Sequence, residues 1–575
     1  MMYPLDECKQ EITKSLAQAL VSLQFPSEVH LEVPPAGMGQ FAFPCFPLAP
    51  VVKKAPQAIA SSIAEQLRPG PWVSKVEAKA GYVNFHVNAT RLADATLHLL
   101  LKRKDAYGFL DDRKQEVIIE HTSANPNGPL HVGRARNPII GDTLVRLFKA
   151  AGYHVTSQFY LDDMGKQVAI LAWGRAHLGP GDVPAPEMDK DDHRFVGYYQ
   201  KANEMMEQNP AVGEEIDAII QGLEHGDAAT LSMVHKAYAP VLAGMQASLA
   251  RIGISVDAYI SESRFVLDGS VDAVVKKLKQ TSFCHEEDGA YYLDMESFGI
   301  HGRNMKFFFL RRDGTTLYAT RDIAYHEWKA RQAQSLVNVL GEDHKLESRQ
   351  VEIALTLLKV QPVPQAIFYS FVSLPGGKMS TRRGRVVYLD DLIEECIARA
   401  YEEVKKRRSE ELSEEQMRAI AEQVGIGALR YNIIKVQPEK DIVFRWEEAL
   451  NFEGNAVPFI QYSHARACSI LAKAAVTTHS FEASLLVHPS EVLLMEQLTR
   501  FPLVIDEACQ NRRPNLIATF VYDAAAAFNQ FYRDCPVLSE PDPKLHASRL
   551  TMVEAARIVL ANALGILGIA APKEM

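Results

Sequence analysis

The spacing of apolar positions changes along the chain between a helical period and the strict alternation of a half-buried strand. At the start of the chain both patterns occur, separated by a stretch rich in glycine and proline. Together they predict a small α+β domain over residues 1–110. Its predicted elements are a helix over 6–25, a strand over 29–33, a loop over 34–50, a helix over 55–67 and a strand over 80–87.

The next region begins with a short apolar strand, "EVIIE", followed by the loop "HTSANPNGPLHVGRARN" over residues 121–137. A helical pattern over 139–152 and a strand pattern over 154–161 follow, so the order is that of a βαβ unit in a parallel sheet. Polar groups at the carboxyl end of the first strand are then placed where such sheets bind ligands. We expect this sheet to resume at "KFFFLRRDGT", "LVNVLGEDH" and "AIFYSFVSL".

The expected fold class is therefore multidomain α/β, with a Rossmann-type parallel-sheet domain at its centre. We predict that this domain comprises residues 111–175 and 291–400 and is interrupted by a largely helical insertion over 176–290. From residue 401 to 575 the apolar faces recur at helical spacing, which predicts an α-helical bundle.

Composition narrows the class of protein. The chain has 575 residues, 47% hydrophobic and 23% charged, with a net charge of -9. This mild acidity argues against a protein that coats nucleic acid indiscriminately. The seven cysteines are scattered and form no C-x-x-C pair, so we expect reduced, mostly buried thiols and no zinc site. No apolar run is long enough to cross a bilayer, and the start of the chain is unlike a signal peptide, so a cytoplasmic location is expected.

Within the loop 121–137, the run His131-Val132-Gly133-Arg134 comes just before a predicted helix. The free backbone N–H groups and the positive end of a helix form an anion site, and Gly128 and Gly133 would allow phosphate or ribose to approach the backbone. The side chain of His131 could donate to a phosphate oxygen. The alternative is a turn with an incidental histidine.

A second basic segment, "GGKMSTRRGR" over 376–385, follows the last predicted strand. Paired glycines, a lysine, two hydroxyls and three arginines in one loop could close over a polyphosphate and neutralise its charge. The alternative is a solvated basic loop.

Taken together, an H-x-G-x element after the first strand and a K-M-S element after a late strand resemble the two-part signature of class I aminoacyl-tRNA synthetases. The chain resembles the arginyl-tRNA synthetase family from end to end; only the insertion matches loosely. The motifs that carry this resemblance are "EHTSANPNGPLHVGRARN", "YLDDMGKQ", "DGTTLYATRDIAYH", "KMSTRRGRVVYL", "AVPFIQYSHARACSIL", "LGILGIAAPKEM" and "GYVNFHV".

The resemblance implies an arginine site. Tyr318 and Asp322 are four residues apart and share one face of a helix. The family pattern places Asp322 as the ion-pair partner and Tyr318 as the hydroxyl partner of the substrate guanidinium, with Glu120 as a second carboxylate. Asn125 matches a contact to the substrate α-amino group, with Ser123 nearby. Without the resemblance, Asp322 would be interpreted as a surface ion pair with Arg321 or Lys329.

The resemblance also implies that ATP, carried with Mg²⁺, is the co-substrate, and that no zinc or organic cofactor takes part. Arginine would be activated to arginyl-adenylate and then transferred to the terminal adenosine of tRNA(Arg). Positioning and charge stabilisation would account for catalysis. The residues assigned to catalysis are His131, Gly133, Arg134, Lys378 and Ser380. The residues assigned to ATP binding are Asn125, Gly128, His131, Gly133, Asp343, His344, Lys378 and Met379. For Asp343 and His344 the alternative is a polar turn.

For tRNA, the helical bundle offers Tyr462, His464 and Arg466 as candidates that stack on or contact RNA. Core packing is the alternative role for Tyr462. We expect a monomer that has no membrane association and binds arginine, ATP and tRNA(Arg).

The chain departs from the family pattern in the first signature, where Arg134 replaces the usual second histidine, and in the second, where Thr381 follows K-M-S. An arginine can still bind phosphate, so activity is expected. Pro138 lies early in the predicted helix and could distort it. Two alternatives follow: a relative that makes arginyl-adenylate for another acceptor, or an inactive RNA-binding protein.

Overall fold

The structure is a computed structural model of the chain. It describes residues 2–32, 34–35, 38–374, 377–378, 387–443, 445–451, 454–474 and 480–575.

The first region is a three-stranded antiparallel sheet covered by helices, in the strand order β1-β3-β2. Its elements are α1 (Pro4–Ser22), β1 (Phe41–Pro44), α2 (Ala49–Val52), α3 (Pro56–Gln66), β2 (Val73–Lys79), β3 (Tyr82–Val87) and α4 (Ala89–Arg103). Cys8, Ile12 and Leu16 recur at one-turn spacing on α1 and are buried in the core of this region.

Two predictions for this region are wrong. The segment predicted as a strand over 29–33 contributes only an isolated bridge from Glu32 to Ala42, and β1 lies inside the predicted loop. Phe41, Ala42 and Phe43 are all buried on β1, so the segment has no period-two alternation to mark it as a strand, and prolines surround it in the sequence.

The central region is built on a five-stranded parallel sheet in the order β11-β10-β4-β5-β6. The chain runs outward from β4 through β5 to β6 and then returns to the other side of β4 as β10, so the switch point of the sheet lies between β4 and β10. Its strands and helices are β4 (Glu116–Glu120), α5 (Arg136–Ala150), β5 (His154–Leu161), α6 (Lys166–His177), α7 (Asp191–Gln208), α8 (Pro210–Glu224), α9 (Ala228–Arg251), β6 (Ala258–Ser261), α10 (Ser263–Leu267), α11 (Ser270–Lys279), β7 (Cys284–Glu287), β8 (Ala290–Asp294), β9 (Lys306–Leu310), α12 (Tyr318–Lys329), β10 (Ser335–Gly341), α13 (Lys345–Leu357), β11 (Gln365–Tyr369), β12 (Val372–Leu374) and β13 (Gly377–Lys378).

The parallel sheet is confirmed, but its membership differs from the prediction. The segment "KFFFL" is β9, which pairs with β8 in a separate antiparallel sheet. The fifth strand is β6, from within the segment predicted as an insertion. Period-2 alternation shows that a segment is a strand but not which sheet it joins.

Pro138 does not distort α5, which continues to Ala150. The proline is the third residue of the helix, where the backbone N–H would have no intrahelical partner, so the missing donor costs nothing there.

The last region is helical, as predicted, with one addition. The short strand β14 pairs in parallel with β12, so this region is joined to the strand that precedes "GGKMSTRRGR". Its elements are α14 (Leu389–Arg408), α15 (Glu414–Ile434), β14 (Ile442–Val443), α16 (Trp446–Ala449), α17 (Val457–Ala474), α18 (Pro489–Asn511), α19 (Asn515–Asp534) and α20 (Pro543–Ile566).

The thiols follow the prediction: all seven cysteines are free, and five of them are buried. Among the helices of the described ranges, none combines the length and the apolar content that a membrane crossing requires.

Candidate active site

A cleft with a volume of about 400 Å³ opens at the carboxyl ends of the parallel strands, beside the switch point between β4 and β10. Ligands of open α/β sheets bind in this position. Of the residues singled out in the sequence, those whose side chains line the cleft are Glu120, Ser123, Asn125, Arg134, Tyr318, Asp322, Asp343 and His344. The cleft therefore brings together residues from three separate segments of the chain, namely β4 with its following loop, α12 and the turn after β10.

One wall of the cleft is the start of the loop after β4. Thr122 and Ser123 have positive φ angles of 72° and 36°, a conformation that non-glycine residues rarely adopt. The loop is held in this shape by Asn137 of α5, whose Oδ1 accepts from the Thr122 N–H at 2.6 Å and whose Nδ2 donates to the Val339 carbonyl at 2.9 Å. The wall is thus braced by both strands of the switch point.

Glu120 does not face the cleft as an unpaired charge. Its Oε2 accepts from the buried ammonium of Lys329 at 2.7 Å, and its Oε1 accepts from the Ser123 hydroxyl at 3.0 Å. Lys329 also donates to Asn338 Oδ1 at 3.0 Å. Because Lys329 neutralises the carboxylate, Glu120 contributes a polar oxygen rather than a net charge to the cleft.

The alternative interpretation of Asp322, as a surface ion pair with Arg321 or Lys329, is wrong. Lys329 pairs with Glu120, and Arg321 pairs with Glu224 and Glu262 on the buried side of α12. Asp322 keeps about a third of its side chain exposed to the cleft.

The partner of Asp322 is His326, one turn further along α12. His326 Nδ1 lies 3.1 Å from Asp322 Oδ1, while His326 Nε2 accepts from Asn338 Nδ2 at 2.7 Å. Burial by itself raises the pKa of Asp322, but His326, Lys329 and His344 outweigh it and hold this pKa below the usual value. Asp322 is therefore a fixed carboxylate that is charged at neutral pH.

Sequence reasoning missed two further carboxylates in the cleft, Asp162 and Glu262. Asp162 Oδ1, Glu262 Oε2 and the Tyr160 hydroxyl are buried and have no hydrogen-bond partner within the described structure. Burial raises the pKa of Glu262 well above its usual value, and the nearby Asp162 raises it further while Arg321 opposes the shift. These three oxygens can therefore accept hydrogen bonds from a donor group bound in the cleft.

The Tyr318 hydroxyl belongs to the same group. A Cβ added at Gly165 would lie 2.7 Å from Asp162 Oδ1 and 2.8 Å from the Tyr318 hydroxyl, so only glycine leaves room for both groups. Burial and the charge of Asp162 raise the pKa of Tyr318, which keeps its hydroxyl protonated as a donor.

Simple signals existed for two of the missed residues. Asp162 directly follows β5, at the strand ends where ligands are expected. His326 is one helical turn from Asp322 and so shares its face. Glu262 had no local signal, because its position depends on the pairing of β6 with β5.

The His131 turn lies beside the cleft. His131 caps a short 3-10 helix over Val132–Arg134, its Nδ1 accepting from the Gly133 N–H at 3.0 Å. Burial and the charge of Arg134 lower the pKa of His131, so the ring is neutral at physiological pH. Arg134 is exposed and lines the cleft.

Gly128 also has a packing role, which the sequence did not predict. It is buried, and a Cβ added there would lie 2.7 Å from Val196 Cγ2 on α7. Glycine at this position is therefore required for packing, because a side chain here would point at α7.

Asp343 and His344 lie on the short 3-10 turn after β10 and line the cleft. A hydrogen bond to Glu347 at 3.2 Å raises the pKa of His344, with burial opposing the shift. Lys378 lies on β13, but its side chain is not described, and Met379, Ser380 and Thr381 lie outside the described residues.

In the helical region, the prediction for His464 is wrong. Its side chain is buried, and its Nδ1 donates to the Pro572 carbonyl at 2.8 Å, so it cannot reach RNA. Tyr462 is 42% exposed rather than in the core. The Arg466 guanidinium lies 4.7 Å from the Tyr462 ring centre and 5.1 Å from that of Tyr532.

Three family models match the chain. Residues 96–446 match the catalytic domain of class I tRNA synthetases (R), residues 6–87 match the arginyl tRNA synthetase N terminal domain, and residues 460–575 match the DALR anticodon binding domain. The parallel sheet and its cleft are thus those of a class I aminoacyl-tRNA synthetase.

Individual relatives show which class I synthetase family the chain belongs to. The chain is 46% identical to an arginine–tRNA ligase of Methanocella arvoryzae, over 92% of each chain. It is 40% identical to that of Methanosarcina mazei, over 99% of this chain and all of the relative. The structure is similar to the arginyl-tRNA synthetase of Thermus thermophilus with a TM-score of 0.84 and 27% identity, covering 98% of this chain and 100% of the other. The chain belongs to the arginyl-tRNA synthetase family.

Proposed function

We propose that the cleft is where this arginine–tRNA ligase joins arginine to ATP, with the amino acid against α12 and the nucleotide across the switch point. The observation that carries the proposal is the set of carboxylates at one end of the cleft. Four of them line it, namely Glu120, Asp162, Glu262 and Asp322, and among the described residues only Glu120 and Glu262 have a Lys or Arg partner, Lys329 and Arg321 respectively.

A guanidinium matches this end of the cleft. It is planar, always charged, and carries five donors in a fixed fork, whereas an ammonium presents three rotating donors on a point charge. Asp322 would form the ion pair, and the unpartnered oxygens of Asp162 and Glu262 would accept the remaining donors. Asn125 and Ser123 would then hold the α-amino group, at the end of the cleft nearer the nucleotide.

The other end would hold ATP, entering as its magnesium complex. His131, Gly133 and Arg134 come just before the first turn of α5, which no side chain caps. The positive end of the helix dipole favours an anion there. Asp343 and His344 would face the adenosine, and Lys378, Met379 and Ser380 would approach from the second signature.

The chemistry needs no covalent intermediate with the protein. The arginine carboxylate attacks the α-phosphorus, the bond to the bridging oxygen breaks, and pyrophosphate leaves with the electron pair. The 2′-hydroxyl of the terminal adenosine of tRNA(Arg) then attacks the arginyl carbonyl and releases AMP. The protein contributes orientation of the carboxylate and stabilisation of phosphate charge.

Two regions would hold the tRNA. We assign the anticodon to the helical region over 401–575 and an additional contact to the N-terminal region over 1–110. The exposed rings of Tyr462 and Tyr532, with Arg466 between them, form a platform on which bases can stack. We further propose that the ligase is a monomer and works in the cytoplasm.

Arginine-dependent exchange of pyrophosphate into ATP, measured with and without tRNA, tests the proposal. We expect exchange that depends on both arginine and tRNA(Arg). Exchange that ignores tRNA would favour an enzyme that makes arginyl-adenylate for another acceptor. No exchange under either condition would favour an inactive RNA-binding protein.

A further inference from the structure

A buried polar cluster lies outside the cleft, where α7 and α9 meet the start of α14. Asp390 Oδ2 accepts from the Lys190 ammonium at 2.9 Å, from His193 Nε2 at 3.1 Å and from the Ser248 hydroxyl at 3.0 Å. Lys190 also contacts Asp192 at 3.0 Å. The acidic and histidine side chains are at most 2% exposed.

Three side chains of this cluster, Asp192, His193 and Asp390, present atoms within 4.8 Å of one another, a spacing that could hold a metal ion. The Lys190 ammonium already contacts both carboxylates, so the chain itself supplies the cation. We therefore interpret the cluster as an internal salt bridge and not as a metal site. A buried carboxylate held by three donors has one well-defined position.

The cluster is connected to the His131 turn through the backbone. Asp390 is the second residue of α14, directly after a short extended segment. In that segment the Val387 carbonyl accepts from the Val132 N–H at 3.0 Å, and the Leu389 N–H donates to the Leu130 carbonyl at 2.8 Å. Tyr388 thereby forms an antiparallel bridge with His131.

Helix α7 also contacts the Tyr388 segment and the loop 121–137 directly. His193 packs edge-on against the Tyr388 ring, with ring centres 5.1 Å apart, and Val196 packs on Gly128. Helix α7 thus contacts both the segment that pairs with the His131 turn and the loop that leads into it.

We propose that Lys190, His193 and Asp390 are positioning residues that set His131 and its turn for the phosphates of ATP. This inference rests on the proposed phosphate role of His131. The three side chains would never touch ATP and would act only through the backbone between Val387 and Leu389.

The test is Asp390→Asn in arginine-dependent pyrophosphate exchange with tRNA present. The substitution keeps the shape of the side chain, and Lys190 keeps Asp192 as its partner, so no charge is left unpaired. We expect kcat/KM for ATP to fall about tenfold, while the KM for arginine stays within about twofold. Lys201→Gln is the matched control, because it removes an exposed lysine of α7 that pairs with Glu204. It should change neither parameter.

A double-mutant cycle with His131→Ala separates positioning from general damage. If Asp390 acts through His131, Asp390→Asn should add little to the loss caused by His131→Ala. Equal losses in both backgrounds, or parallel losses for arginine and ATP, would overturn the inference alone. Unchanged ATP kinetics in His131→Ala would overturn the phosphate role of His131 and the inference with it. Should Asp390→Asn fold poorly, His193→Ala removes one donor without changing the buried pair of charges, and the same cycle applies.

Discussion

The two ends of the cleft are built in different ways. At the proposed arginine end, a chain of hydrogen bonds runs from Ser123 through Glu120, Lys329 and Asn338 to His326. His326 Nδ1 then donates to the Asp322 carbonyl at 2.8 Å and lies 3.1 Å from the Asp322 carboxylate. At the nucleotide end, the His131 turn is held mainly by backbone bonds, and the charged side chain of Arg134 is exposed. The proposed arginine end is thus preorganised through side chains, and the proposed phosphate end through the backbone of the His131 turn.

The largest effect on arginine activation is expected at Asp322. Asp322→Ala removes the fixed carboxylate, and we expect arginine activation to fall by about 10³-fold or more, since a site built for charged donors is left without its partner. Binding of tRNA should be spared, as measured by filter binding. Asp217→Ala, at an exposed position on α8, is the control. Unchanged arginine affinity in Asp322→Ala would reject the assignment of this end to the guanidinium.

The hydrogen-bond chain itself is broken at Lys329. Lys329→Met leaves the buried carboxylate of Glu120 without its counter-charge, and we expect a loss of about 3–5 kcal/mol in stability. The midpoint of thermal unfolding should therefore drop, and most of the drop should be recovered in the double variant with Glu120→Gln. The exposed Lys406→Met serves as the control. If the double variant is no more stable than Lys329→Met, Glu120 is not the partner that matters.

The stacking platform of Tyr462 and Tyr532 lies outside the cleft, so changes there should affect tRNA binding alone. Tyr462→Ala should raise the KM for tRNA about tenfold, from the loss of about 1–3 kcal/mol of stacking on one base. The KM values for arginine and ATP should not change. Tyr462→Phe keeps the ring and should behave as the parent, whereas an equal defect in both variants would point away from stacking.

A pH effect distinguishes the arginine end from the nucleotide end. The pKa of Glu262 is raised well above its usual value by burial and by Asp162, so a proton competes with a bound cation for this carboxylate. A bound guanidinium lowers this pKa and expels the proton, so arginine affinity should rise with pH and level off above the raised pKa. Calorimetry in buffers of different ionisation enthalpy should detect the released proton. Glu262→Gln should abolish the release, while Asp217→Asn at the exposed position on α8 keeps it. Release that persists in Glu262→Gln would assign the proton elsewhere.

The smallest effect is expected at Arg134. If this arginine replaces the usual histidine on the phosphate side, Arg134→His should retain exchange within about threefold of the parent. Pyrophosphate exchange at saturating ATP measures it, with Arg134→Ala as the matched loss of charge. A large loss in Arg134→His would show that the nucleotide end has been rebuilt around arginine.

Hydrophobic periodicity was enough to predict those features that depend on residues close together in the sequence. The βαβ unit around the loop 121–137 and the shared face of Tyr318 and Asp322 both follow from periodicity, and the structure has them. The helical region was equally evident from its apolar faces.

Long-range pairing was invisible to the same reasoning. The partners of Asp322 and Glu120, and the carboxylate of Glu262, depend on which strands become neighbours. His464 shows the reverse error, since a polar residue in a helix was assigned to the surface although its partner is a distant carbonyl. Exposure and partners are properties of the folded chain, whereas period is a property of the sequence.

The position of β6 limits how this protein can be cut and recombined. Because the chain returns to the sheet at Ala258–Ser261, the helices α6–α9 are tied at both ends to the same sheet. A chimaera that exchanged the whole of 176–290 would remove the outer strand and leave β5 as an open edge, ready to pair with another chain. Exchanging the stretch from α7 to α9 keeps β6 in the sheet, but it removes the contacts that His193 and Val196 make with Tyr388 and Gly128.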